Sequence, residues 1–83
     1  MPDAPRTATH ARDALSADQI LAIAQADASR AYRDLSVYAI RLALETDGWH
    51  VDYKLKDERL KGGGPRYVID AVSGVILSKT YEQ

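Results

Sequence analysis

Between Tyr38 and Leu55 apolar and polar residues alternate in step: Tyr38-x-Ile40-x-Leu42-x-Leu44, then Trp49-x-Val51-x-Tyr53-x-Leu55. A period of two marks strands with one buried face. Asp47-Gly48 between the two runs predicts a two-residue hairpin turn, because Gly accepts positive φ and Asp tolerates it. Pairing outward from that turn sets Thr46 opposite Trp49, Leu44 opposite Val51, Leu42 opposite Tyr53 and Ile40 opposite Leu55, all on one face. The other face receives Arg41, Glu45, His50, Asp52, Lys54 and Lys56. The run AIRLALE is also good helix sequence by intrinsic propensity. Its residue-for-residue match to the partner run favours the strand.

Upstream the period changes. Ser16 reads as a helix cap, Gln19 completes a capping box with it, and Leu15 can staple onto Ile20. Asp18 suits the positive end of the helix dipole. Ala17 to Asp34 is alanine-rich and free of Gly and Pro, which predicts a helix. Its apolar stripe is Ile20, Ala24, Ala28, Ala31 and Leu35, flanked by Leu21 and Ile23. Downstream, Asp57 to Gly64 is a loop ending in three glycines before Pro65. Arg66 to Ala71 and Val75 to Tyr81 read as third and fourth strands. Gly74 takes the left-handed position between them, and Asp70 braces that turn with its side chain.

Residues 1–14 read as a flexible lead-in with a short helical turn near His10 to Ala14. Glu82 and Gln83 read as a fraying end. The expectation is one α+β domain over residues 15–83. One N-terminal helix packs on a four-stranded antiparallel sheet, in the order α-β-β-β-β.

Composition narrows the function classes. With 83 residues, 46% of them hydrophobic, the chain supports one domain with a thin core. Eleven basic and twelve acidic residues give a formal charge of −1, which argues against a bulk electrostatic binder of nucleic acid or membrane. The absence of cysteine excludes disulfides, thiolate chemistry and zinc–thiolate sites. No apolar run approaches the roughly 20 residues of a membrane helix. The first ten residues hold no leader-peptide core. A cytoplasmic location is expected, or a periplasmic one if a leader was removed.

No residues assemble into a catalytic set. Glu45, His50 and Asp52 carry metal-ligating groups, yet an acid opposite a histidine is ordinary cross-strand complementarity. No serine is placed beside His10 or His50 with an orienting acid. The three glycines lack the Lys-Ser/Thr of a phosphate loop. Lys54, Lys56, Arg59, Lys61 and Arg66 form the densest basic stretch. It reads as a solvated strand end that could also meet an acidic protein surface. Trp49 reads as a cap on the core beside Tyr53 rather than as a partner anchor. Neither an enzyme nor a metal or other cofactor is expected. The outward set Arg41, Glu45, His50, Asp52, Lys54, Lys56, Arg59 and Lys61 is the candidate partner-binding surface. The open sheet edges leave homodimer pairing available.

Trp49-x-Val51, the glycine link Gly62-Gly63-Gly64-Pro65, Tyr67-Val68-Ile69-Asp70-Ala71 and Ser73-Gly74-Val75-Ile76-Leu77 together resemble bacterial immunity proteins of the nuclear-transport-factor-2-like-fold type. The ending Val68-Ile69-Asp70-Ala71-x-Ser73-Gly74-x-Ile76-Leu77 is similar to that of PepSY domains. The transport-factor type calls for more helices and a longer sheet than this chain offers, so a PepSY-like arrangement is expected. The first resemblance implies a non-catalytic protein that neutralises a cognate toxin by binding it. The second implies a module that restrains a peptidase or binds an envelope ligand.

Overall fold

The computed structural model describes residues 14–60 and 62–81. The expected lead-in, up to residue 13 and including most of the turn near His10 to Ala14, lies outside the described residues. So do Lys61, Glu82 and Gln83. Among the described residues one helix, α1 (Ala17–Ala31), precedes four strands: β1 (Tyr38–Glu45), β2 (Gly48–Leu55), β3 (Arg66–Ile69) and β4 (Ile76–Thr80). The strands form one antiparallel sheet in chain order, β1-β2-β3-β4. The fold is therefore α+β, with one helix on one face of a meander.

The helix starts where its sequence says it should. Ser16 Oγ accepts from the Gln19 backbone N–H at 3.1 Å, and the Gln19 side chain accepts from Ser16 N–H at 2.8 Å. Both bonds satisfy donors that the first helical turn leaves orphaned. The helix stops at Ala31, three residues short of the expected Asp34. Tyr32 is extended, at φ −124° and ψ 134°, and its ring meets Tyr38 and Tyr81 edge-on. Asp34 instead accepts bonds from Ser36 N–H and Ser36 Oγ, bracing the link into β1. The stripe shortens accordingly. Ile20, Ala24 and Ala28 are buried, whereas Ala31 is exposed.

The hairpin also differs from its sequence reading. Glu45 pairs with Gly48, so the turn is Thr46-Asp47 rather than Asp47-Gly48. Every pairing moves by two: Leu44 faces Trp49, Leu42 faces Val51, Ile40 faces Tyr53, and Tyr38 faces Leu55. Thr46 and Asp47 keep negative φ, and Gly48 carries the positive one at +131°. A Cβ on Gly48 would stand 2.6 Å from the Ile69 carbonyl oxygen. The close approach of β3 therefore makes Gly48 the first residue of β2 rather than the second residue of the turn. A slip of two preserves side-chain parity, so the apolar face survives intact.

The last two strands are shorter than expected, because Asp70 leaves β3 to build the turn. Its Oδ1 accepts from Val72 N–H at 2.9 Å and from Ser73 N–H at 2.8 Å. Gly74 takes φ +79° there.

The core is Ile20, Ala24 and Ala28 from the helix against Val51, Tyr53, Tyr67 and Ile69 from the two central strands. Around one end of it stand all five tyrosines of the chain. Tyr32–Tyr38, Tyr38–Tyr53 and Tyr53–Tyr67 contact edge-on at 5.9, 6.2 and 6.4 Å between ring centres, and Tyr32–Tyr81 at 5.8 Å. Such perpendicular contacts let each ring's positive edge meet the next ring's negative face. Asp27 closes the circle. Its carboxylate accepts from Tyr67 at 2.8 Å, from Tyr81 at 2.5 Å and from Lys79 at 3.1 Å. One short helix does not cover a four-stranded sheet, and on β1 the core-side residues Ile40 and Leu44 stay 40% and 60% exposed.

Candidate protein-binding face

The sheet turns its other face away from the helix. Register across the strands gathers residues that lie far apart in the chain. Arg41 faces Asp52, Asp52 faces Arg66, and Arg66 faces Thr80, forming one row across all four strands. The next row is Ala43, His50, Val68 and Ser78. Lys54 stands on the other side of the first row, opposite Ala39. Because side chains alternate along each strand, these residues share one face.

Arg66 Nε lies 3.4 Å from Asp52 Oδ1. The two residues border two depressions of this surface. One, of about 240 Å³, is a groove over β2–β4 that includes His50, Val68, Ser78 and Thr80. The other, of about 440 Å³, runs on under the loop between β2 and β3, past Lys54, Asp57, Leu60 and Gly62 to Gly64.

At the turn end, His50 Nε2 and Asp47 Oδ1 are 2.7 Å apart. That hydrogen bond is the main cause that lifts the imidazole pKa above its usual 6.5, with the charges of Asp47, Glu45 and Asp52 adding to it. The same bond holds the Asp47 carboxyl below its usual value. His50 is thus biased toward its charged form. Arg41, His50, Lys54 and Arg66 surround Asp52, so the middle of this face is basic, with the carboxylates of Glu45 and Asp47 at its turn end.

The sequence-nominated residues divide between this face and its margins. Arg41, His50, Asp52 and Lys54 lie within it. Glu45 is on the same side but at the sheet's end, opposite Gly48; His50 faces Ala43 rather than the expected Glu45. Lys56 follows β2, its N–H bonded to the Val37 carbonyl at 2.9 Å, and its charge acts on Asp34. Arg59 is held by its own loop, with Nε and Nη2 each 3.1 Å from the Asp57 carboxylate. Lys61 is outside the described residues. Ala43 follows from the alternation along β1, whereas Val68, Ser78 and Thr80 enter the face only through strand order, which no local pattern announces. Trp49 is half-buried against the core on the opposite side.

Among the described residues no three His, Asp or Glu side chains converge as a metal set would. Ser78 shares a row with His50 but stands two strands away, about 9–10 Å at ordinary strand spacing. That is beyond the reach of a general base for its nucleophile. Compared with protein-family models, curated proteins and solved structures, the chain matches none.

Proposed function

We propose that the chain is a non-catalytic protein-binding module that grips an acidic surface of a protein partner with the uncovered face of its sheet. The observation that carries this reading is the row Arg41–Asp52–Arg66–Thr80, which spans four strands on the face that, among the described residues, no helix covers. Fixed strands present these charges in a set order, and ordered charge favours selective pairing over general stickiness. Among the described residues the strands turn no Phe, Trp or Tyr side chain to this face, which argues against single-stranded nucleic acid, since that needs stacking platforms. The distance between His50 and Ser78 argues against hydrolysis.

For the partner we propose a bacterial toxin, following the likeness of Trp49-x-Val51 and the glycine link to immunity proteins. The PepSY-like ending makes a peptidase or an envelope ligand the second candidate. Co-expression with the product of the adjacent reading frame tests the first. The expected outcome is a complex whose association slows as salt rises. The double variant Lys54→Glu/Arg66→Glu is expected to weaken it at least tenfold, which is about 1.4 kcal/mol. A complex indifferent to that variant sinks the proposed face. Failure to bind the neighbouring product, with retained binding to a peptidase, sinks the toxin reading.

A further inference from the structure

The two outer strands of the sheet are unlike. β4 has five residues, and its pairing to β3 slips between Val68 and Ile69. Lys79 and Tyr81 tie that edge back to Asp27. β1 has eight residues, regular pairing, no proline and no positive φ. Natural sheets usually blunt such an edge with a bulge, a proline or a covering segment.

Among the described residues β1 has a partner strand on one side only. Lys56 N–H bonds to the Val37 carbonyl, so odd-numbered residues of this strand turn their groups toward β2. Ile40, Leu42 and Leu44 therefore turn theirs outward. Their side chains lie on the helix side, where Ile40 and Leu44 are 40% and 60% exposed. A long strand with open donors, open acceptors and uncovered apolar side chains is a template for one more strand.

We infer that the missing strand is β1 of a second copy, paired antiparallel about a two-fold axis at Ala43. The sequence of β1 is complementary to itself in that register. Arg41 meets Glu45 of the other copy, and Glu45 meets Arg41, at non-hydrogen-bonded positions where side chains come closest. Leu42 meets Leu44 twice on the apolar side. Ala43 meets Ala43 on the axis, where a small side chain admits close approach. Among the described residues neither Arg41 nor Glu45 is engaged in an ion pair. Moving the register two residues toward Arg41 sets Arg41 against Arg41 after one further step, and it loses both charge pairs at once. This two-fold puts both helices on one side and both basic faces on the other, so the dimer presents one continuous eight-stranded surface. The inference does not depend on the identity of any partner.

Sedimentation equilibrium of the full chain, over roughly 1 µM to 1 mM, tests it. The expected result is a mass rising from one to two chains with concentration. Leu44→Lys is expected to keep it at one chain with unchanged circular dichroism, since that side chain is already largely in solvent. Arg41→Glu is expected to weaken the dimer at least tenfold, and Arg41→Glu/Glu45→Arg to restore it. Amide exchange gives a second reading on the unaltered protein. Ile40, Leu42 and Leu44 N–H should be protected in concentrated samples and fast in dilute ones. A single-chain mass throughout, or protection independent of concentration as a cover from the same chain would give, overturns the dimer. A dimer that survives Leu44→Lys, or one that the charge swap does not restore, overturns this edge and register.

Discussion

Asp27 joins more of the molecule than any neighbour on its helix. Its carboxylate holds Tyr67 in β3, Lys79 in β4 and Tyr81 just beyond, and it is 14% exposed. The hydrogen bond from Tyr81 is the main cause that keeps its pKa below the usual 3.8. A carboxyl with a depressed folded pKa stabilises the fold above the unfolded value and loses that contribution as pH falls through the folded one. Urea unfolding followed from about pH 5 down to pH 2 should therefore show a shallower acid limb in Asp27→Asn than in the parent. It should not be flat, because Asp34, Asp47, Asp57 and Asp70 are depressed as well. The neighbouring tyrosines make a paired test. Tyr67→Phe removes a bond to a carboxylate and is expected to destabilise by about 1–2 kcal/mol. The Tyr53 hydroxyl is buried with no hydrogen-bond partner among the described residues. Tyr53→Phe should consequently leave stability unchanged or raise it by up to about 1 kcal/mol. Equal losses in the two variants would dissolve this account. None of it was legible beforehand. Asp27 reads as one more polar residue on an alanine helix, and the tyrosines are scattered over fifty positions of chain.

At the scale of elements, local chemistry and close approach share the control. The Ser16–Gln19 box is a matter of four adjacent residues, and the sequence displays it outright. The turn between β1 and β2 is different. Asp47-Gly48 is a favoured pair in isolation, but Gly48 is needed one place later, against the Ile69 carbonyl. Gly48→Ala would force both an unfavourable φ and a contact of 2.6 Å with backbone. The expected loss is about 2–4 kcal/mol in chemical denaturation. A loss well below 1 kcal/mol would mean that β3 can yield there.

For the whole molecule, the helix and the sheet depend on each other. A 15-residue helix is marginal alone in water, however good its cap. The sheet without it would expose Val51, Tyr53, Tyr67 and Ile69. A peptide of residues 14–35 is accordingly expected to be mostly coil by circular dichroism. The intact chain should lose helical and tyrosine signals in one coincident transition. Separate transitions would show that Asp27 and the tyrosine circle do not couple the two layers. The same thinness explains why, among the described residues, no helix lies over the outer face or along the β1 edge: one helix shields two strands.

The sequence alone determined which segments alternate, where the helix begins, how Asp70 turns the chain and which residues of β1 and β2 share a face. Each of these depends on neighbours within a few positions, so local pattern carries it. Only the tertiary structure decided the hairpin register, the early helix end, the Arg41–Asp52–Arg66–Thr80 row and the Asp27–tyrosine circle. A slip of two leaves the hydrophobic pattern unchanged, so the pattern could not choose between registers; contact with β3 could. Rows and circles bring together residues from separate strands, and no stretch of chain contains their geometry.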